Sequence, residues 1–182
     1  MSQAQLLGVY PVGPEEFLCA LFHVGEASRF LPVWLAPVEG ARLLARLNGW
    51  TPNRPHAVDA LADLARAAGG AAGEIELSDV HEGVFRATLR LGDGTDVDLR
   101  PSDALAVALE LDLPVEVTED VLASASLWLS ADDASRYFDV DIETGAPDAV
   151  AEADSGSDAE FEAFLRQLGA ADDDEDDGAD KA

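Results

Sequence analysis

The chain has 182 residues, with 37 acidic residues against 11 basic ones and a formal net charge of −26. This length fits one domain with an appendage or two small domains, and the 48% apolar share excludes a chain that is disordered throughout. The charge excludes a conventional basic nucleic-acid footprint, because such a surface repels phosphates unless counterions, a metal or local arginines offset it.

The cysteine content and the first residues indicate the compartment. Cys19 is the single cysteine, so no intrachain disulfide can form, and its apolar surroundings at 17–22 predict a buried side chain. The first residues lack the charged and apolar regions of a secretion signal, which predicts a cytoplasmic protein. No apolar run approaches the ~18–20 residues that span a bilayer, so we expect no membrane partner.

The first half of the chain predicts three strands followed by two helices. The strands are expected at 6–12, 17–24 and 29–36, separated by glycine and proline turn signals. Pro37 suits the first turn of a helix reaching about Asn48. A loop with two prolines follows, and a second helix is expected over 56–68.

The next part of the chain returns to strands. The predicted elements are strands at 74–77, 84–91 and 96–99, a helix over 101–111, a strand at 114–117 and a helix over 119–125. A block of strands, then helices, then more strands argues against regular βαβ alternation. The order predicts an α+β fold in which helices pack on a mixed β-sheet.

The acidic residues concentrate at the C-terminal end. Residues 141–182 carry a net charge of −13, which is half of the total in less than a quarter of the chain. We therefore predict a folded domain at 1–128 and an acidic, largely flexible tail at 129–182.

One apolar pattern interrupts this predicted tail. Phe161, Phe164, Leu165 and Leu168 follow the spacing of one helical face and predict a short amphipathic helix near 158–168. A helix this short needs a surface to dock on, whether its own domain, a second subunit or another protein.

The best polar constellation lies at two junctions between a loop and a helix. Arg54 and Arg100 each precede a proline, and Asp59 and Asp103 follow in the first helical turn, where helix dipoles favour anions. Each junction suits a phosphate-binding site. Equally, each arginine could pair with the following aspartate and only hold its loop. His56 is the one histidine in such a loop.

A metal-assisted alternative uses carboxylates. Glu39, Asp59, Asp79 and Asp103 could gather Mg²⁺ or Mn²⁺, which prefer oxygen ligands and stabilise in-line phosphodiester displacement. No spacing in the sequence requires this arrangement, and Asp79 also fits a turn.

Several motifs together resemble the bifunctional nuclease domain family. The matching stretches are Arg29-Phe30-Leu31-Pro32-Val33-Trp34-Leu35, Arg54-Pro55 followed by Asp59, Ser78-Asp79-Val80-His81-Glu82-Gly83-Val84-Phe85-Arg86-Ala87, and Arg100-Pro101-Ser102-Asp103-Ala104-Leu105-Ala106. The resemblance covers roughly residues 5–125 and implies a compact α+β domain that pairs as a homodimer and degrades DNA and RNA.

The same resemblance implies a set of site residues. Carried over by motif, these are the catalytic candidates Glu39, Asp59 and Asp103 and the substrate-binding candidates Arg54, Arg100 and Ser102, with His56 added from its position in the loop.

The sequence departs from the family pattern at two places. Ala57 and Val58 stand where the family usually has Thr and His, and Ala36-Pro37 stands where it usually has Gly after the tryptophan strand. If that histidine were a general base or a metal ligand, activity would depend on His56 substituting for it.

Two functional hypotheses follow. The first is a nuclease that hydrolyses phosphodiesters, with Mg²⁺ or Mn²⁺ as the candidate cofactor. The second is a non-catalytic dimeric binding or regulatory module whose acidic tail engages a protein partner.

Overall fold

A computed structural model describes residues 1–25, 29–68 and 73–138. The amphipathic segment predicted near 158–168 lies outside this part of the chain. Among the residues described, no helix is both long and apolar enough to cross a membrane.

The described residues contain eight strands and five helices. The strands are β1 Ser2–Val12, β2 Phe17–Val24, β3 Arg29–Trp34, β4 Glu74–His81, β5 Val84–Arg90, β6 Asp96–Leu99, β7 Val115–Val117 and β8 Leu127–Trp128. The helices are α1 Pro37–Leu47, α2 Ala57–Ala67, α3 Pro101–Leu111, α4 Glu119–Ala125 and α5 Ala131–Phe138. Every element predicted before residue 126 is present, while β8 and α5 were not predicted.

All eight strands form one sheet in the order β6-β5-β4-β7-β1-β2-β3-β8. Neighbouring strands are antiparallel except β4 and β7, which are parallel. A parallel neighbour requires a long crossover, and the chain from β5 through α3 provides it. The predicted α+β class with a mixed sheet is confirmed.

The β4–β5 hairpin explains one difference from the sequence prediction. Glu82 and Gly83 both have positive φ, 50° and 76°, which is typical of a two-residue turn of the type I′ class. This tight turn lets β4 continue to His81, four residues beyond its predicted end. Asp79 therefore lies in the strand, beside an irregularity in the β4–β5 register, and its prediction as a turn residue was wrong.

The main core lies between one face of the sheet and helices α1 to α4. Successive side chains of a strand point to opposite faces of the sheet, so every second residue of β2 belongs to this core: Ala20, Phe22 and Val24. Helix α3 contacts α1, α2, β4 and β5, and its Leu105 and Val107 are fully buried. This central position fixes the start of α3 relative to the other two helices.

The opposite face of the sheet has a smaller core. It contains Cys19 and Leu21 from the other side of β2, and α5 contributes Phe138. The Phe138 ring lies edge-on to Tyr10 of β1, with 6.1 Å between ring centroids. Residues after 128 thus contribute a buried aromatic side chain to the folded unit.

Candidate functional site

An open cleft lies where β3 leads into α1, β5 begins, and β6 leads into α3. Its volume is about 520 Å³. The lining residues are Trp34, Leu35, Ala36, Glu39, Val84, Phe85, Arg86, Asp98, Leu99, Arg100, Pro101, Ser102 and Asp103. The cleft therefore contains four of the residues predicted from the sequence: Glu39, Arg100, Ser102 and Asp103.

The start of α3 positions three of these side chains. Arg100 is the N-cap residue in an extended conformation, and Pro101 begins the helix with a backbone angle suited to the first turn. The Asp103 backbone N–H donates to the Arg100 carbonyl at 3.0 Å, which closes that turn. Ser102 and Asp103 are consequently held at the cleft wall.

Arg100 forms an ion pair across the cleft. Its Nη1 lies 3.7 Å from Glu39 Oε1, which comes from the first turn of α1. The Arg100 side chain is 74% exposed and that of Glu39 is 27% exposed. Exposed pairs of this kind stabilise a protein by less than about 1 kcal/mol, so an anionic ligand can displace the contact at low cost. The alternative pairing of Arg100 with Asp103 is not the one formed.

A smaller cavity adjoins the cleft between α1, α2 and α3. Its volume is about 110 Å³, and Glu39, Ser102 and Asp103 line both spaces. We call it the inner cavity. Its other lining residues are Arg42, Leu43, Arg46, His56, Ala57, Val58 and Ala106.

Asp59 belongs to neither space. Arg46 of α1 donates a hydrogen bond to its Oδ1, and the His56 backbone N–H donates to Oδ2 at 2.6 Å. The Arg46 and Asp59 side chains are only 10% and 15% exposed, respectively. Burial raises the pKa of Asp59, but the hydrogen bonds from His56 and Arg46 outweigh it, so the net pKa lies below its usual value. Both carboxylate oxygens are thus engaged: Oδ1 holds α2 against α1, and Oδ2 caps the first turn of α2.

Of the other two residues predicted in the loop before α2, one lines the inner cavity and one does not. His56 lines the inner cavity, and its ring lies 6.1 Å from that of Trp50. Arg54 is exposed and lines neither the cleft nor the inner cavity. The predicted pairing of Arg54 with Asp59 does not form, because Arg46 occupies that position.

The predicted carboxylate set does not assemble. Asp59 is paired with Arg46, and Asp79 is exposed on β4 and lines neither space, which leaves Glu39 and Asp103 together. Across residues 1–25, 29–68 and 73–138, no group of three His, Cys, Asp or Glu side chains is placed to hold a metal ion. The described residues therefore do not fit a Mg²⁺ or Mn²⁺ site of that composition.

Sequence reasoning missed two arginines at the site. Arg86 lines the cleft, and Arg42 lines the inner cavity. Among the described residues neither forms an ion pair. Strand alternation could have identified Arg86, since Phe85 and Ala87 on either side are buried. The spacing along α1 could have identified Arg42, because it lies three residues after Glu39 and therefore on the same side of the helix.

Comparison with known proteins identifies the family of this chain. The family model described as the bifunctional nuclease domain matches residues 20–130, which include the cleft and the inner cavity. The uncharacterized protein Rv1829 of Mycobacterium tuberculosis strain H37Rv is 33% identical over 129 residues, covering 71% of this chain and 79% of the relative. The uncharacterized protein MT1877 of Mycobacterium tuberculosis strain CDC 1551 matches with the same identity and coverage. The chain belongs to the bifunctional nuclease domain family.

Proposed function

We propose that this protein binds the phosphodiester backbone of DNA or RNA in the cleft and hydrolyses it. Membership of the family supports a role in nucleic-acid binding or cleavage. The observation that carries the proposal is the gathering of Arg86 and Arg100 beside Glu39 and Asp103 in one open space. Cations that hold a phosphate and carboxylates that accept a proton are the groups this reaction needs.

Phosphate binding is the first step. The Arg86 guanidinium has no ionic partner among the described residues, and that of Arg100 has only an exposed contact with Glu39. Both can donate paired N–H groups to phosphate oxygens. The net charge of −26 opposes the approach of a polyanion, but at ~0.15 M salt the repulsion is screened beyond ~8 Å. The local arginines then decide binding at short range.

Hydrolysis is the second step. A carboxylate of Glu39 or Asp103 accepts a proton from a water molecule, whose oxygen attacks phosphorus while the bond to the leaving sugar oxygen breaks, and that oxygen takes up a proton from solvent water. The arginines stabilise the negative charge that develops on the phosphate oxygens. The Ser102 hydroxyl, at the wall shared by cleft and inner cavity, donates a hydrogen bond to the same group.

The test compares two carboxylate variants with a matched control. Asp103→Asn and Glu39→Gln keep the shape of the side chain and remove its charge. Asp63→Asn removes an exposed carboxylate on α2 whose ionic partner among the described residues is Arg66. Cleavage of labelled single- and double-stranded DNA and RNA is measured with EDTA, Mg²⁺ or Mn²⁺. We expect the cleavage rate to fall at least about 100-fold in the variant that removes the general base, whether that base is Glu39 or Asp103. The control should retain wild-type activity. Equal cleavage by all three variants would exclude this site.

A second experiment isolates binding. Arg86→Gln and Arg100→Gln should each weaken nucleic-acid binding about tenfold. Each should also reduce the slope of the logarithm of the binding constant against the logarithm of salt concentration by about one, because one fewer counterion is released. Arg136→Gln is the control, because Arg136 lies over the Tyr137 ring on α5 and lines neither space. Unchanged binding in both cleft variants would contradict the proposed phosphate contacts.

Binding without hydrolysis is a second candidate function. It is favoured by Val58, which lines the inner cavity at the position where the family usually has His, and by Asp59, which is fully engaged by Arg46 and His56. If this second function holds, we expect Arg100→Gln to weaken nucleic-acid binding. The wild-type protein should cleave none of the substrates with EDTA, Mg²⁺ or Mn²⁺. The homodimer and the protein partner of the C-terminal region stay predictions, to be measured by sedimentation and by affinity capture.

A further inference from the structure

An apolar groove follows the outer side of α1. Val38, Ala41 and Ala45 lie along it at helical spacing, and Trp50 continues it beyond the end of the helix. Val38 is 57% exposed and Trp50 is 49% exposed, whereas Leu43 on the inner side of α1 is buried. The groove has a volume of about 610 Å³, and Arg42 is its single charged lining residue. We call this surface the α1 groove.

The one charged side chain that lines the α1 groove is a cation, in a chain with a net charge of −26. Arg42 has no ionic partner among the described residues. An apolar surface that carries an unneutralised arginine fits a partner that is apolar on one side and acidic around it.

The chain contains one segment with this chemistry. Phe161, Phe164, Leu165 and Leu168 have the spacing of a single helical face, and acidic residues surround them so that residues 158–168 carry a net charge of −2. A short amphipathic helix is marginal alone in water and gains stability by laying its apolar face in a groove.

The connection is long enough. The last described residue, Phe138, is anchored against Tyr10, and 22 residues separate it from Phe161. At ~3.3 Å per residue this stretch spans up to about 75 Å. A domain of this size has a radius of gyration of about 14 Å, so every face is within reach. Tethering also raises the effective concentration of the segment at the groove.

We propose that residues 158–168 dock on the α1 groove of the same chain, with their apolar face against Val38, Ala41 and Trp50. Arg42 lines both the α1 groove and the inner cavity, so the docked segment brings carboxylates to the edge of the candidate site. This docking does not depend on the chain being a nuclease.

Disulfide trapping tests the contact in the full chain. Cys19 is fully buried and burial raises the pKa of its thiol, so introduced cysteines react without interference. Val38→Cys combined with Phe164→Cys should form an intrachain disulfide at least about tenfold faster than Val38→Cys combined with Ala163→Cys, because Ala163 lies on the opposite helical face. Equal rates overturn the proposal, and a crosslink between chains overturns its intramolecular form.

A second measurement needs no crosslink. The indole N–H signal of Trp50, assigned with Trp50→Phe, should shift when Phe161→Ser and Phe164→Ser are introduced together into the full chain. Trp128 is the internal control, because it is exposed to a similar extent but lies on β8 at the sheet edge. A Trp50 signal that stays in place, or one that moves no more than that of Trp128, overturns the proposal.

Discussion

Replacing Asp59 by asparagine should destabilise the fold rather than remove a catalytic group. The substitution keeps the shape of the side chain but leaves the Arg46 guanidinium, which is 10% exposed, without its carboxylate. Breaking a fully buried pair costs ~3–5 kcal/mol. Here Glu110 lies 3.9 Å from Arg46 and offsets part of the loss, so we expect about 2–3 kcal/mol. For a domain of this size that is a fall in Tm of about 6–12 °C.

Urea and thermal unfolding, followed by circular dichroism, measure this change. Asp63→Asn is the control on the same helix, because its pair with Arg66 is exposed and contributes less than about 0.5 kcal/mol. The folded-state pKa of Asp59 is depressed, so its contribution is complete above the unfolded value of ~3.9 and is lost as pH falls through the folded value. The difference between wild type and Asp59→Asn should therefore shrink below about pH 4. An Asp59→Asn protein with wild-type stability and no nuclease activity would refute the structural role.

Three further outcomes are expected from the packing. Gly40→Ala should cost about 1–3 kcal/mol in urea unfolding, because the new Cβ would lie 2.8 Å from Leu18 Cδ1. Cys19 should resist thiol reagents in the native protein and react only on unfolding, since burial raises its thiol pKa; rapid labelling under native conditions would contradict its placement. Phe138→Ala should lower the unfolding free energy by about 3 kcal/mol, and a neutral result would mean that α5 does not pack on Tyr10.

The sequence predicted the elements well because their signals are local. Pro37 and Pro101 mark helix starts, so each of these boundaries depends on residues close along the chain. Helix α5 was missed because its main support is not local. Phe138 is buried against Tyr10, which is 128 positions away, and the segment between 130 and 138 is otherwise mostly polar.

The candidate site was predicted only in part for a similar reason. Glu39, Ser102 and Asp103 were identified and do lie together. Asp59 has the same sequence context as Asp103, in the first turn of a helix that follows Arg-Pro. The difference is Arg46, which reaches Asp59 from α1, while Asp103 faces an open space. No pattern around residue 59 encodes that partner, so the two aspartates could be separated only in three dimensions.

The position of β1 constrains how the protein can fold during synthesis. Strand β1 lies inside the sheet, paired with β2 on one side and with β7, more than 100 residues later, on the other. Until residues 115–117 emerge, the edge of β1 presents unpaired N–H and C=O groups over Ser2, Gln3 and Ala4. Strand β7 is also the only link described between the β1–β2–β3–β8 and β6–β5–β4 parts of the sheet. The nascent chain therefore carries an exposed strand edge until β7 has been synthesised, and fast completion of α3 and β7 limits its exposure to aggregation.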